Sequence, residues 1–333
     1  MENCDILIVG AGPVGCTIAE HVSRVHNLKC IIVDKRNHVA GNCYDFNHSS
    51  GVLIHKYGPH YFRAKNLNTF EYLSNFTDWI DGNYIVKSFV NNKLYSFPIN
   101  LNTLEDFYGL SLDQESASNL LNKKKYNFEN PKNSEEFVLS RVGKELYESF
   151  YKNYTIKQWG LHPVELDPSV CGRIPIRLNR NNSYVDEGIQ KMPKNGYTNL
   201  FTNMIKNRNI KVLLNTDYNK IKNIIIPKLT TFYTGPIDEY FNYKFGNLTW
   251  RSLHFEYEEK NQEYFQDYVQ INYPNDFDYT RCVEIKHVTK QIHPKTVLSY
   301  EYPSALGEPY YPIKNSSNDK IFKIYNEKVK EIE

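Results

Sequence analysis

Three glycines recur at a fixed spacing early in the chain, Gly10-x-Gly12-x-x-Gly15, and an acid follows at Asp34. Together these residues can hold a dinucleotide. Gly10 permits a tight turn out of a strand, Gly12 lets backbone approach a pyrophosphate, and Gly15 allows helix to pack closely on strand. A helix opening there, with Val14 in its first turn, offers free N–H groups and a partial positive charge to phosphates. Asp34 stands where a carboxylate accepts hydrogen bonds from an adenosine ribose. The motif by itself does not choose between NAD and FAD. A second glycine turn, Gly41-Asn42-x-Tyr44-Asp45, lies just past Asp34 and Lys35. A flavoprotein needs backbone close to its flavin side, so Lys35 and Asn42 join Gly10, Gly12, Val14, Gly15 and Asp34 as candidate cofactor contacts. The six cysteines, Cys4, Cys16, Cys30, Cys43, Cys171 and Cys282, form no C-x-x-C pair and no metal-like spacing. They read as free thiols of a reducing compartment.

These groups need elements to position them. Asp5–Val9 is a short apolar run rich in β-branched residues, Cys16–Arg24 has helical periodicity, and Cys30–Val33 is a second apolar run closed by Asp34. Strand, glycine turn, helix, strand is the opening of a βαβ dinucleotide fold. Between about 101 and 161 the texture changes. Glu115–Leu121 and Ser134–Phe150 carry apolar residues at helical spacing, separated by a polar loop over Asn122–Asn133 that holds the run Lys123-Lys124-Lys125. After Pro175, the runs Val212–Leu214, Ile224–Ile226 and Val283–Ile285 predict strands in a sheet that need not be parallel. The fold class read from this order is α/β: an FAD/NAD(P)-binding Rossmann-like domain with a helical insertion and a mostly antiparallel sheet domain. The expected domains interleave. The Rossmann-like domain takes 1–80 and parts of 190–250, the helical insertion takes 101–165, and the sheet domain takes 81–100, 173–190 and 251–312.

Composition narrows the function classes. The chain has 333 residues, of which 41% are hydrophobic and 23% charged, which excludes a disordered chain. Lys+Arg at 40 against Asp+Glu at 38 leaves a net charge of +2, which argues against nucleic-acid binding or polybasic attachment to membranes. No apolar run approaches the ~20 residues of a membrane span. The start of the chain lacks a basic signal-peptide region, so a cytoplasmic location is expected. The 27 Tyr and 18 Phe are in excess. An AT-rich coding bias explains most of that excess, and stacking on a sugar or base has to be argued site by site.

The stretch from Asp34 through Asn37-His38-Val39-Ala40-Gly41-Asn42-Cys43-Tyr44, followed by His55-Lys56-Tyr57-Gly58-Pro59-His60-Tyr61-Phe62, resembles the flavin half of the UDP-galactopyranose mutases. Further blocks keep that family's order. They include Tyr95–Asn100, Tyr154–Gly160, Arg173–Arg177, Tyr233–Asp238, Trp250–Leu253, Tyr279–Arg281 and Glu308–Pro312. The resemblance implies FAD, used in its reduced form, and an isomerase that interconverts UDP-galactopyranose and UDP-galactofuranose with no net redox change. It implies that the flavin N5 attacks the anomeric carbon while UDP leaves. It places His60 and Tyr61 close to the flavin, and His60 joins Arg173 and Arg281 as a candidate catalytic group. Both arginines match diphosphate-binding positions, and Arg251 is a weaker third. The planar guanidinium fork suits phosphate oxygens. Phe150 and Tyr154, four apart and so on one face of a helix, match the uridine platform. Thr155 and Trp159 continue that block, and Trp159 resembles a residue of a loop that closes over substrate. Tyr184 and Tyr311 match tyrosines that reach the diphosphate, and Asn272 matches a uridine contact. A homodimer is compatible with the resemblance.

The sequence departs from the family pattern in three places. Ala40 stands where relatives often have Gly, and Arg63 where some have His. The family's final G-R-x-x-x-Y-x-Y-x-D-M type segment does not follow Asp319, and weakened flavin binding and turnover are expected without it. Two other readings start from the same glycine turn: an FAD-dependent amine-oxidase-like oxidoreductase, and an inactive homologue that only binds a nucleotide sugar. Oxidoreductase chemistry does not explain the paired arginine blocks, and flavin absorbance of the purified protein separates the enzyme from the inactive binder.

Overall fold

The computed structural model describes residues 4–186 and 188–332. The chain divides into two units, each built from separated stretches. Unit 1 comprises Met1–Gly82 and Gly188–Lys244, and unit 2 comprises Asn83–Glu187 and Phe245–Glu333.

Unit 1 is organised by a four-stranded sheet in the order Ile210–Leu213, Cys30–Val33, Ile6–Val9, Thr230–Tyr233. Every pairing in it is parallel. The first two strands in sequence are buried along nearly their whole length, as near-continuous β-branched runs predict for a covered parallel sheet. Helix Pro13–His26 links them, with Pro13 at its first turn and basic residues Arg24 and His26 in its last, both favourable at those ends. The opening therefore folds as the sequence predicts. The run Ile224–Ile226 does not. It is no strand but a turn after the short helix Tyr218–Ile221. Only Ile225 enters the core, against Cys4, Leu7, Ile31 and Val33, while Ile224 and Ile226 stay exposed. The neighbouring place in the sheet belongs to Thr230–Tyr233.

A cap holds the two stretches of unit 1 together. Helix Gly196–Met204 has no side-chain cap of its own from Asn195. Buried Asp45 supplies one, accepting the N–H of Tyr197 at 2.5 Å and of Thr198 at 2.9 Å. Thr198 returns a hydroxyl bond to the Asp45 carbonyl at 2.8 Å. Gly196 has φ +83, and a Cβ there would lie 2.6 Å from the Asp45 carboxylate, so glycine is required for this approach.

Unit 2 carries a seven-stranded sheet and the helical segment. The sheet order is Tyr311–Pro312, Trp250–Lys260, Thr296–Ser304, Arg281–Val283, Gln270–Asn272, Val86–Val90, Lys93–Phe97. All its neighbours are antiparallel except Gln270–Asn272 with Val86–Val90. The expected strand Val283–Ile285 is shifted, because the strand ends at Val283 and Ile285 caps the short helix Lys286–Thr289. Helices Leu101–Tyr108, Gln114–Lys124 and Ser134–Leu146 form the helical segment. Lys123 and Lys124, expected in a loop, instead close the second of these helices, where their charge favours the carbonyl end. Gly143, at φ +78, breaks the third helix, and a π-helical turn, Tyr147–Lys152, leads into helix Asn153–Trp159. Among the described residues no helix is long and apolar enough to cross a membrane.

Candidate active site

In unit 1 the two glycine turns meet backbone to backbone. A Cβ on Gly12 would stand 3.6 Å from Gly41 Cα, and one on Gly41, at φ +54, would stand 2.9 Å from Gly12 Cα. Gly10 has φ +108 and a Cβ there would strike Thr234 Oγ1; one on Gly15 would strike the Gly10 carbonyl. Gly12 opens helix Pro13–His26 with no side-chain hydrogen bond to its first N–H groups, and Val14 is exposed beside them. The result is a bare backbone cradle at a helix N-terminus, which suits a pyrophosphate. Asp34 is fixed beside it, accepting the N–H of Ala11 and of Arg36, each at 2.8 Å. Arg36 also donates to Asn42 at 2.9 Å and lies over the Tyr57 ring. Lys35 points outward to Glu239, at 3.7 Å. Ala40 takes a left-handed backbone, φ +73, where glycine is the unstrained choice.

His60 lies in the loop after strand Leu53–His55. Its Nδ1 is 3.0 Å from the Gly58 carbonyl, and its backbone N–H donates to His55 Nδ1 at 3.0 Å. Burial pulls the His60 imidazole below its ordinary pKa. Burial also pulls His55 down to about 3, so it is neutral and able to accept that bond. The Tyr61 hydroxyl donates to the Gly82 carbonyl at 2.8 Å. It is therefore tied into its own unit, and burial raises it to about 12.

In unit 2, strand register does the positioning. Ser88 pairs with Asn272, Asn272 with Arg281, Arg281 with Glu301, and Glu301 with Phe255. Paired residues face the same side of a sheet, so these five form one row. Arg251 pairs with Tyr311 farther along that side. Arg281 Nε lies 2.7 Å from Glu301 Oε2, and the Glu301 side chain is fully buried. Burial pushes the Glu301 carboxyl above its ordinary pKa, with Arg281 opposing the rise. Burial works against the charge of Arg281, but Glu301 and the surrounding phenols hold the guanidinium charged. Those phenols are Tyr154, Tyr311 and Tyr84. Burial raises Tyr154 to about 12, with Arg281 pulling down, Tyr184 and Glu301 adding to the rise, and Arg173 pulling down weakly. Tyr311 is raised by burial and lowered by Arg281 and Arg173. Arg281, Tyr154 and Tyr311 thus feel the charge of one buried carboxylate, Glu301, while Arg173 and Tyr184 act on Tyr154. Arg173 is exposed and its guanidinium makes no ion pair among the described residues.

The other expected substrate residues have narrower places. Phe150 is 2% exposed and packs on Tyr95 and Phe107, with centroids 5.5 and 5.7 Å away. A π-helical turn, Tyr147–Lys152, carries Phe150 and leads directly into the α-helix that carries Tyr154. Thr155 is buried against Cys171, at 3.7 Å. Trp159, expected on a closing loop, is the last residue of helix Asn153–Trp159 and packs with Leu166, Val170 and Tyr311. Arg251 donates to the carbonyls of Gln158 and Lys157, at 3.3 and 3.4 Å, and so caps that helix. Asn272 is 4% exposed and accepts from Gln270, whose own oxygen accepts the Tyr84 hydroxyl. Sequence reasoning missed Glu301 and Tyr84. The signal for Glu301 was an acid in an apolar alternation, but its partner is known only from register.

The glycine cradle and the two sheets define an α/β class: a Rossmann-like nucleotide-binding unit in a chain whose second unit is a mostly antiparallel sheet with a buried arginine–glutamate pair. Residues 8–76 match the NAD(P)-binding Rossmann-like domain pattern, and residues 149–333 match the pattern of UDP-galactopyranose mutase. The chain is 35% identical to a probable UDP-galactopyranose mutase of Klebsiella pneumoniae, across 98% of this chain and 85% of that protein. It is 33% identical to a dTDP-fucopyranose mutase of Escherichia coli, across 98% and 89%. A crystal structure of a reduced UDP-galactopyranose mutase shares the fold, with TM-score 0.66 at 12% identity over 97% of this chain and 78% of that one. The chain belongs to the UDP-galactopyranose mutase family.

Proposed function

We propose that this chain interconverts UDP-galactopyranose and UDP-galactofuranose in the cytoplasm, with FAD as its cofactor in the reduced state. The observation that carries the reading is the buried pair of Arg281 and Glu301, 2.7 Å apart and in register with Asn272, with Tyr154 and Tyr311 under the charge of Arg281. The cradle of unit 1 fits the cofactor: Gly12, Gly41 and the first turn of helix Pro13–His26 would hold the pyrophosphate, and Asp34 the ribose. When bound, reduced FAD supplies the nucleophile for the anomeric carbon.

The remaining work falls to the chain. Arg281 keeps its charge against Glu301 and meets the β-phosphate as the sugar–phosphate bond breaks, and the exposed Arg173 offers a second fork. Burial keeps Tyr154 and Tyr311 protonated at neutral pH, and these two with Tyr184 donate to diphosphate oxygens. Asn272 orients the uracil from the same row. The dTDP-sugar specificity of a 33% identical relative makes the nucleotide a second variable. The test incubates dithionite-reduced, FAD-loaded protein with UDP-galactofuranose or dTDP-fucofuranose and separates products by chromatography. Conversion of the UDP sugar without an electron acceptor is expected. Conversion of neither sugar, or turnover only with a dye acceptor, refutes the reading. Arg281→Ala should weaken UDP binding roughly ten- to a hundred-fold, because a charge-assisted contact is worth about 1.5–3 kcal/mol.

A further inference from the structure

Arg281 follows a short hairpin loop, Tyr273–Thr280, whose other end is Asn272. Both ends carry proposed substrate contacts, so the shape of this loop sets how far apart they stand and how they face. The loop is not relaxed by its own sequence. Phe277, a bulky residue at its tip, holds φ +53, a left-handed backbone that costs such a side chain energy.

The restraint comes from elsewhere in unit 2. Lys157 reaches from helix Asn153–Trp159 into the loop. Its Nζ donates to the carbonyls of Tyr273, Asp276, Phe277 and Tyr279, the last three at 3.0, 3.0 and 3.1 Å. Four carbonyls around one ammonium bind nearly the whole turn of the loop to one side chain. Asn153, one helical turn earlier on the same face, donates to Asn275 at 3.0 Å, and Asn275 donates back to the Ser149 carbonyl at 3.0 Å. Gln158, beside Lys157, accepts the Thr280 hydroxyl at 3.2 Å, one residue before Arg281. The same helix carries Tyr154, which feels the charge of Arg281.

We propose that Lys157 is a positioning residue for the diphosphate: it gathers the carbonyls of loop Tyr273–Thr280 and thereby fixes the guanidinium of Arg281 relative to Tyr154. The inference rests on the reading of Arg281 given above. Lys157 acts through the loop, whose carbonyls take up its ammonium. An ammonium suits this task because it is a compact charge with three rotatable donors that the four carbonyls can share, whereas a guanidinium fork is planar and cannot fill a cage of converging carbonyls.

A double-mutant cycle tests it, with UDP as the titrant on FAD-loaded protein and the flavin spectrum as a check on unit 1. Lys157→Met should lower UDP affinity tenfold or more and raise KM for UDP-galactofuranose with a smaller change in kcat. In the Arg281→Ala background the same substitution should lower UDP affinity by less than twofold, because the group it positions is gone. Hydrogen exchange should quicken in 273–281 and stay unchanged in strand Trp250–Lys260. If Lys157→Met does not accumulate as folded protein, Lys157→Gln replaces it, with a three- to ten-fold loss expected. Full loss of affinity on top of Arg281→Ala would overturn the positioning role while leaving the arginine's role intact. Wild-type UDP affinity in Arg281→Ala would overturn both.

Discussion

Two glutamates of unit 2, Glu284 and Glu301, are each fully buried, and their surroundings differ in kind. Glu284 accepts the Thr296 hydroxyl at 2.6 Å and the backbone N–H groups of Phe265 and Gln266 at 3.0 and 2.8 Å, with His287 at 3.5 Å. Burial alone would raise its pKa, but these donors hold it below the ordinary value. Among the described residues the oxygens of Glu301 have no hydrogen-bond donor in good geometry, and its one charged companion is Arg281. A saturated carboxylate ties loops to a sheet. An under-satisfied one, beside an arginine it cannot fully neutralise, belongs to a site that completes its electrostatics with a ligand.

Matched substitutions can break this contrast. Glu284→Ala leaves several buried donors unpaired and should cost on the order of 3–5 kcal/mol in a denaturant melt. Saturating UDP should not restore the loss, because no donor of Glu284 is thereby satisfied. Glu301→Ala leaves Arg281 without its counter-charge and should cost about 3 kcal/mol. Here a diphosphate can replace the missing charge, so UDP should raise the melting temperature more in the variant than in the wild type. Equal rescue in both variants would erase the distinction.

The pH dependence sharpens it, with opposite signs for the two groups. The folded pKa of Glu284 is depressed, so its stabilisation is present above the unfolded value near 4.5 and lost as pH falls through the folded value. The folded pKa of Glu301 is raised, so its contribution is present below the unfolded value and lost as pH rises through the folded one. Melts across acid to neutral pH should show the Glu284→Ala deficit shrinking in acid and the Glu301→Ala deficit growing there. The smallest expected effect is Thr296→Val, which removes one donor and moves Glu284 a step toward the condition of Glu301. It should cost about 1.5 kcal/mol and leave UDP affinity unchanged, as checked by melt and titration.

What the sequence revealed follows from the range of the physics involved. The turn Gly10–Gly15 with Asp34 was legible because its strand, helix and acid are local, and each glycine has a steric reason visible in the motif. The arginines and tyrosines of unit 2 came from family resemblance, and their convergence depends on pairing between strands remote in sequence. Glu301 and Lys157 were illegible for that reason: one gains meaning from register with Arg281, the other from four carbonyls more than a hundred residues away. The π-helical turn that carries Phe150 was not foreseen because residue spacing does not announce one, and Lys123 and Lys124 were misplaced because a charged run fits the end of a helix as well as a loop.

The cap that Asp45 places on helix Gly196–Met204 also sets a timetable. Its partners are 152 and 153 residues apart, and all of Asn83–Asp186 lies between them. During synthesis the strands Ile6–Val9 and Cys30–Val33 emerge long before either flanking strand of their sheet, and Asp45 is made without the N–H groups that satisfy it. At about 5–20 residues per second, the nascent chain spends roughly 8–30 s in that condition. Over that interval the first stretch of unit 1 has two strands with both outer edges open and a carboxylate waiting for its helix.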